Sequence, residues 1–186
     1  MLMERKLDLS GIDQLTEHKL SDMYGVAYKV VKPYIHWLNL YCERYEINTP
    51  LRLAAFLAQI GHESGRFVYT EEIASGSAYE GRIDLGNTQL GDGIRYKGRG
   101  LIQITGRNNY TRLSKDLEID FVSEPALLCL PQFAVWSACW YWSWRKLNQL
   151  ADEGLFRDIT KKINGGYNGL EDREKLYANC KRALNV

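Results

Sequence analysis

Three glutamates carry the first candidate chemistry. Glu63 closes the apolar run LRLAAFLAQIGH (51–62), and Glu71 and Glu72 follow eight and nine residues later, where a glycine-rich stretch begins. A carboxyl at the end of a buried segment is partly withdrawn from water, and burial favours the protonated form that a general acid needs. A carboxyl in an open loop stays wet. Two carboxyl groups in such different surroundings suit cleavage of a glycosidic bond, where one protonates the leaving oxygen and the other acts on water or on the sugar. The same spacing also fits glutamates that merely end a helix in ion pairs. Adjacent residues of an extended strand point to opposite faces, so only one of Glu71 and Glu72 is expected to face the same cleft as Glu63. Spacing does not choose between them.

The segment YKGRGLIQITGRNNY (96–110) adds polar groups of the kind that bind sugars. Gly98 and Gly100 let backbone approach a ligand closely. Gln103, Thr105 and Asn109 alternate with Leu101 and Ile104, so an extended turn would place the polar side chains together. The plainer reading is a capped turn feeding a helix, with Thr105 and Asn109 satisfying backbone groups. Residues 93–115 contain Arg95, Lys97, Arg99, Arg107, Arg112 and Lys115 and no Asp or Glu. They read as a solvated basic face, as donors for a polar or anionic polymer, or as counter-charges for carboxylates, with Arg99 placed to serve Glu72.

These residues need elements to hold them. Apolar residues recur at helical steps from Leu15 to Val31, Pro33 interrupts or restarts the pattern, and Ile35 to Tyr41 continue it. Thr49 caps and Pro50 opens a central helix that is apolar on nearly every side, and Gly61 and Gly65 bracket its end. Seven glycines between 76 and 100 predict a loop with a short hairpin. Pro125 and Pro131 each open a helix, glycines at 165, 166 and 169 mark a turn, and a last helix covers about 170–184. Trp136, Trp140, Trp142 and Trp144 read as aromatic core, with a sugar-stacking platform as the alternative. His62 either bonds within the core or tunes Glu63. Arg82 and Asp84 read as a local pair. The result is a mainly α chain: a single domain over 1–186, with a helical N-terminal part at about 1–50 and a core at about 50–180.

A net charge of +1 provides no field for nucleic acid or membrane. The four cysteines form no C-x-x-C pair and the three histidines lack ligand spacing, so neither metal nor cofactor is expected and the thiols read as reduced core residues. MLMERKLDLSG carries no signal-type apolar stretch and no run is long enough to span a membrane, so the expectation is synthesis in the cytoplasm without stable membrane insertion. The absence of a coiled-coil repeat favours a monomer.

AAFLAQIGHESGRF, YKGRGLIQITGRNNY and INGGYNGLEDR, in that order, resemble the core of the family 19 glycoside hydrolases, a family of plant-type chitinases and phage endolysins. The resemblance runs from about residue 50 to about 180, and GRGLIQITGRNNY is its most specific part. The compact length and the EEIASGSAYEGR loop are closer to the phage branch. The resemblance implies a lysozyme-like fold with a substrate cleft and an inverting mechanism, with Glu63 as general acid, Glu72 as general base and Thr105 helping to hold the attacking water. It further implies that Tyr96, Lys97, Gln103, Asn109, Asn164 and Arg173 bind substrate. In the plant enzymes the second carboxylate lies much further along the chain, so Glu72 departs from their pattern. The expected activity is hydrolysis of β-1,4 bonds of peptidoglycan glycan strands, with holin-dependent release and action on the wall in the periplasm. A chitinase and a binding-only wall module are the alternatives.

Overall fold

The computed structural model describes residues 15–186. Residues 1–14, the start of the expected helical N-terminal part and the segment read for a signal sequence, lie outside the described residues.

Helix α1 (Glu17–Tyr24) begins where the Thr16 hydroxyl accepts the Lys19 N–H and ends at Gly25. Pro33 divides the next helical stretch, as its missing N–H requires: α2 (Tyr28–Val31) gives way to a 3₁₀ turn, Lys32–Tyr34, and then to α3 (Ile35–Arg44). The central helix α4 (Pro50–Glu63) is capped by the Thr49 side chain on the Arg52 N–H at 3.3 Å, with Pro50 in its first turn. Residues 53–61 are buried without interruption.

Gly61 does not end this helix. A Cβ there would stand 2.3 Å from the Tyr24 ring, so glycine is what lets α1 pack onto α4, and the Tyr24 hydroxyl completes the contact by donating to Leu57 O at 2.8 Å. The helix stops at Ser64, beyond which Gly65, Arg66 and Phe67 all take left-handed backbone, φ 56°, 61° and 68°.

Between 71 and 106 the expected hairpin is reduced to isolated bridges, Glu71 with Arg99 and Arg99 with Ile104. Three short segments are thereby stitched side by side, through Glu72 N–H to Gly98 O (2.9 Å), Gly100 N–H to Thr70 O (2.8 Å) and the reciprocal Arg99–Ile104 pair. The outer loop contains two 3₁₀ turns, Ser77–Tyr79 and Ile83–Leu85, and a single helical turn, α5 (Asp92–Arg95). Arg107, at the start of α6 (Arg107–Leu117), clamps it by pairing with buried Asp92, and that pairing holds the Asp92 carboxyl below the usual range.

Pro125 opens a five-residue 3₁₀ helix, Pro125–Cys129, and not an α-helix. Pro131 does open one, α7 (Pro131–Trp144). The chain then runs through α8 (Leu147–Asp152), α9 (Phe156–Asn164) and α10 (Leu170–Ala183), which lies along α4. Three of the four α7 tryptophans are spent in packing or hydrogen bonds. Trp136 stacks on Tyr41 at 5.0 Å, Trp140 donates to Asp116, and Trp142 packs edge-on to Phe56 and donates to Asn148. Trp144 remains 37% exposed. All four cysteines are free, and burial pushes the Cys180 thiol up to about 12. Arg82 and Asp84 pair as expected, on the surface. No helix among the described residues is long and apolar enough to cross a membrane.

Candidate active site

Glu63 occupies the last turn of α4, where the helix leaves the core, and its side chain is 17% exposed. Its Oε1 accepts from Arg173 Nη2 at 2.5 Å. Arg173, on α10, is 1% exposed. Its other donors meet Gln59 Oε1 and Asn168 O. Gln59 and Glu63 are four apart on one helix face, so a single guanidinium spans both. Gln59 in turn donates to Thr160 on α9 at 2.8 Å. Gln59 is the one polar side chain among the uninterrupted buried residues 53–61, which is the sequence signal for this role.

The neighbouring residue of each partner forms a second link. His62 Nδ1 meets Asp172 Oδ2 at 2.7 Å, and Arg66 donates to Asp172 Oδ1 at 2.6 Å. Burial acts to raise the Asp172 carboxyl, but the hydrogen bonds from His62 and Arg66 outweigh it and hold the group below its ordinary value. His62 thus bonds to a carboxylate of α10. Its ring also lies against Gly169, where an added Cβ would be 2.3 Å away.

Glu71 and Glu72 point to different partners. Glu71 Oε1 accepts from Arg99 Nε at 2.8 Å and lies 3.5 Å from Lys97 Nζ. Arg99 is therefore the counter-charge of Glu71, correcting the expectation that it serves Glu72: the bridge pairs residues 71 and 99, which puts their side chains on one face. Glu72 turns the other way. Its Oε1 accepts the Tyr79 hydroxyl at 2.9 Å and its Oε2 the Gly98 N–H at 3.2 Å.

Gly98 marks a point of convergence. A Cβ there would be 3.3 Å from Glu72 Oε2, 3.3 Å from Thr105 Oγ1 and 2.6 Å from Gln103 Oε1. The structure thus brings Glu72, Thr105 and Gln103 to one spot. The Thr105 hydroxyl donates to Gln103 O at 2.9 Å, which leaves its lone pairs to accept.

The remaining predicted residues divide. Lys97 is mostly buried and donates to Glu72 O, so it braces the loop from behind. Tyr96 is 1% exposed, packed on Tyr110 and under Arg107, with its hydroxyl donating to Val122 O. Its place is inside the loop and not on a ligand-facing surface. Asn109 donates to Thr105 O at 2.8 Å and fixes the turn that presents the Thr105 hydroxyl. Asn164 is exposed at the end of α9. Tyr79 was not anticipated, and nothing in its spacing signals it.

No protein-family model matches the chain. A glycosyl hydrolase family 19 domain-containing protein of Haemophilus influenzae is 35% identical over 167 residues, covering 73% of this chain and 80% of that protein. An endochitinase of Arabidopsis thaliana is 40% identical over 141 residues, but the chain spans 48% of that enzyme's length. Among solved structures, chitinase C from Streptomyces griseus matches with a TM-score of 0.74 over 92% of both chains, at 22% identity. A class IV chitinase from Zea mays matches with 0.63 over 98% of this chain and 88% of the other, also at 22% identity.

Proposed function

The chain belongs to glycosyl hydrolase family 19, and on that premise we propose that it hydrolyses β-1,4 bonds between N-acetylhexosamine units by an inverting two-carboxylate mechanism. The chitinase names of its relatives favour N-acetylglucosamine chains as substrate. The observation that carries the mechanism is the contrast between the two glutamates. Glu63 faces a buried guanidinium, which would stabilise the carboxylate left once the proton has passed to the leaving oxygen. Glu72 shares one spot with the Thr105 hydroxyl, and a water held between those two acceptors would be deprotonated by Glu72 as it attacks the anomeric carbon. Gln103, Asn109 and Asn164 remain the polar groups assigned to the substrate site, whereas Arg173, buried with its donors on Glu63, Gln59 and Asn168, positions Glu63 and does not meet substrate itself.

A second reading, hydrolysis of peptidoglycan with release through a holin and action on the wall, is favoured by one feature. Among the described residues Arg112, three residues beyond Asn109 on α6, pairs with no carboxylate and lies over the Trp144 ring, which leaves a cation for an anionic strand.

The test is incubation with chitohexaose and with purified peptidoglycan, followed by mass spectrometry of the fragments and NMR of the first anomer formed. Cleavage of a glycosidic bond with inversion supports the proposal. Glu63→Gln, which keeps shape but cannot supply the proton, should abolish it while melting stays near wild type. Retention of configuration, or release by amide cleavage, would refute it.

A further inference from the structure

We propose that Thr160 is a positioning residue for the general acid, acting on Glu63 through Gln59 and Arg173. The inference rests on the reading of Glu63 as the acid and goes beyond it, to a side chain three hydrogen bonds away from the carboxyl.

Each link runs in one direction only. A guanidinium carries donors and no acceptor, so Arg173 must meet the oxygen of the Gln59 amide. The amide NH2 then points the other way, and it finds the Thr160 hydroxyl at 2.8 Å. That hydroxyl gives its own proton to Phe156 O, at 3.2 Å within α9, so its lone pairs are what it offers Gln59. At the far end Arg173 Nη2 donates to Glu63 Oε1 at 2.5 Å. An ordinary mid-helix threonine needs only the carbonyl four residues back. Thr160 in addition holds a side chain of another helix, α4, and that side chain holds the partner of the acid.

Gln59, Thr160 and Arg173 are all buried at 1% exposure or less, so solvent does not replace a lost partner. Among the described residues no buried side-chain N or O is left without a partner, so no orphaned side-chain acceptor waits for the Gln59 amide. Without the Thr160 hydroxyl the amide either keeps its place with an N–H unsatisfied or turns to find a carbonyl, and turning takes its oxygen away from Arg173. Arg173 Nη1 then loses its acceptor, and the guanidinium is held only by Asn168 O and by Glu63 itself. The group that orients the acid is no longer fixed. Because α9 ends at Asn164, the same link joins the helix of that candidate substrate residue to the helix of the acid.

The experiment compares Thr160→Val, Thr160→Ser and Thr160→Ala with wild type in turnover of chitohexaose and of peptidoglycan strands. Valine copies the shape of threonine without the hydroxyl, and serine and alanine differ by the hydroxyl alone. Thr160→Val should lower kcat roughly ten- to a hundredfold with KM within about twofold of wild type, as expected of a misplaced acid beside an intact binding surface. Thr160→Ser should recover most of the loss and Thr160→Ala should not. Gln59→Leu should show a loss of the same size, and adding Thr160→Val to it should cost nothing further, because the hydroxyl acts only through that amide. Activity that does not follow the hydroxyl, a loss confined to KM, or losses that multiply in the double variant would overturn the inference. Should Thr160→Val not fold, the serine and alanine variants decide on the same criteria. A second readout needs no turnover: by ¹⁵N NMR the Arg173 guanidinium protons should exchange slowly with water in wild type and Thr160→Ser and faster in Thr160→Val and Thr160→Ala. Equal exchange in all four proteins would also overturn the inference. If wild type cleaves neither substrate, the glycanase reading fails, and the exchange measurement alone decides whether Thr160 positions Glu63.

Discussion

Replacing Gly98 by alanine tests whether Glu72, Thr105 and Gln103 act as one unit. Gly98 does not take left-handed backbone, so alanine fits its conformation and the penalty is steric. The added methyl would meet Glu72 Oε2 and Thr105 Oγ1 at 3.3 Å, contacts that shifts of a few tenths of an ångström absorb. It would meet Gln103 Oε1 at 2.6 Å, which nothing short of moving that side chain relieves. Gln103 is not free to move: it has φ 55° and its Nε2 donates to Gly100 O at 3.1 Å. Losing that bond costs about 0.5–1.5 kcal/mol and the crowding about 1–3 kcal/mol, so a net of about 2 kcal/mol is expected. For a chain of this size that is roughly 4–8 °C in melting temperature. Displacing the water site by about 1 Å should cost on the order of 10²-fold in kcat. The assay is turnover of chitohexaose or peptidoglycan strands alongside thermal melting. Gly166→Ala, whose methyl meets nothing closer than Asn164 Oδ1 at 4.0 Å, is the control. If Gly98→Ala turns over within twofold of wild type and melts unchanged, the three side chains do not form a single water site.

The two adjacent glutamates should behave oppositely. Glu72→Gln should lose about 10²- to 10⁴-fold in kcat, while Glu71→Gln, which loosens only the pairing to Arg99 and Lys97, should keep most activity; the reverse ranking in a side-by-side assay would move the base to Glu71. Arg173→Met removes one partner of a pair that is buried on the arginine side and 17% exposed on the glutamate side, so about 3 kcal/mol and roughly 6–12 °C should be lost, and a melting curve within 2 °C or so of wild type would show the pair to be structurally idle. The Asp172 carboxyl is held below its ordinary 3.8 in the folded state, so its pairing stabilises above that pH and is lost as pH falls through the still lower folded value. Asp172→Asn should therefore melt earlier than wild type at pH 7, with the gap closing below about pH 4; a gap that widens on acidification would contradict the assignment.

The elements legible in the sequence are those with strong local grammar. Thr49-Pro50 starts α4, Pro33 breaks the N-terminal pattern and Pro131 starts α7, because capping and the missing proline N–H act within a few residues. Gly61 was misleading for a physical reason: it reads as a terminator, but its function is to admit Tyr24 from a helix some forty residues earlier, and local pattern does not register so distant a partner. Pro125 does open a helical element, but over five residues it is a 3₁₀ helix and not an α-helix. In the candidate site, residue types pointed to Glu63 and to the Glu71–Glu72 pair, the family resemblance chose Glu72 and Thr105, and the partners that orient them depend on long-range pairing. Arg99 could not be assigned to Glu71 over Glu72 without the register of one bridge, and a shift of one residue reverses the answer. Tyr96 illustrates the converse error, an aromatic beside a functional loop that supports it from within.

The path from Glu63 to Glu72 is set from outside that segment. Arg66 and Phe67 occupy left-handed backbone that costs L-residues about 1–2 kcal/mol each, so the turn has no intrinsic reason to form. Three contacts offset the cost. Phe67 is buried, its ring 5.2 Å from Tyr24 and 5.0 Å from Tyr34, which recovers about 1.5–3 kcal/mol. The Phe67 N–H donates to Ser64 Oγ at 2.8 Å, and Arg66 is anchored on Asp172. Tyr24 and Tyr34 belong to the N-terminal helical segment, which contributes no candidate catalytic residue. That segment nevertheless determines where the chain emerges toward Glu72. Asp172 and Arg173 are consecutive on α10, one fixing the turn and the other holding Glu63. One helix thus holds both the Glu63 side chain and the turn that leads toward Glu72. Strain concentrated in the connecting turn, held by α4 on one side and α10 on the other, fixes the course of the chain between the two glutamates, and the proposed inverting reaction would need their carboxyls roughly 6.5–9.5 Å apart.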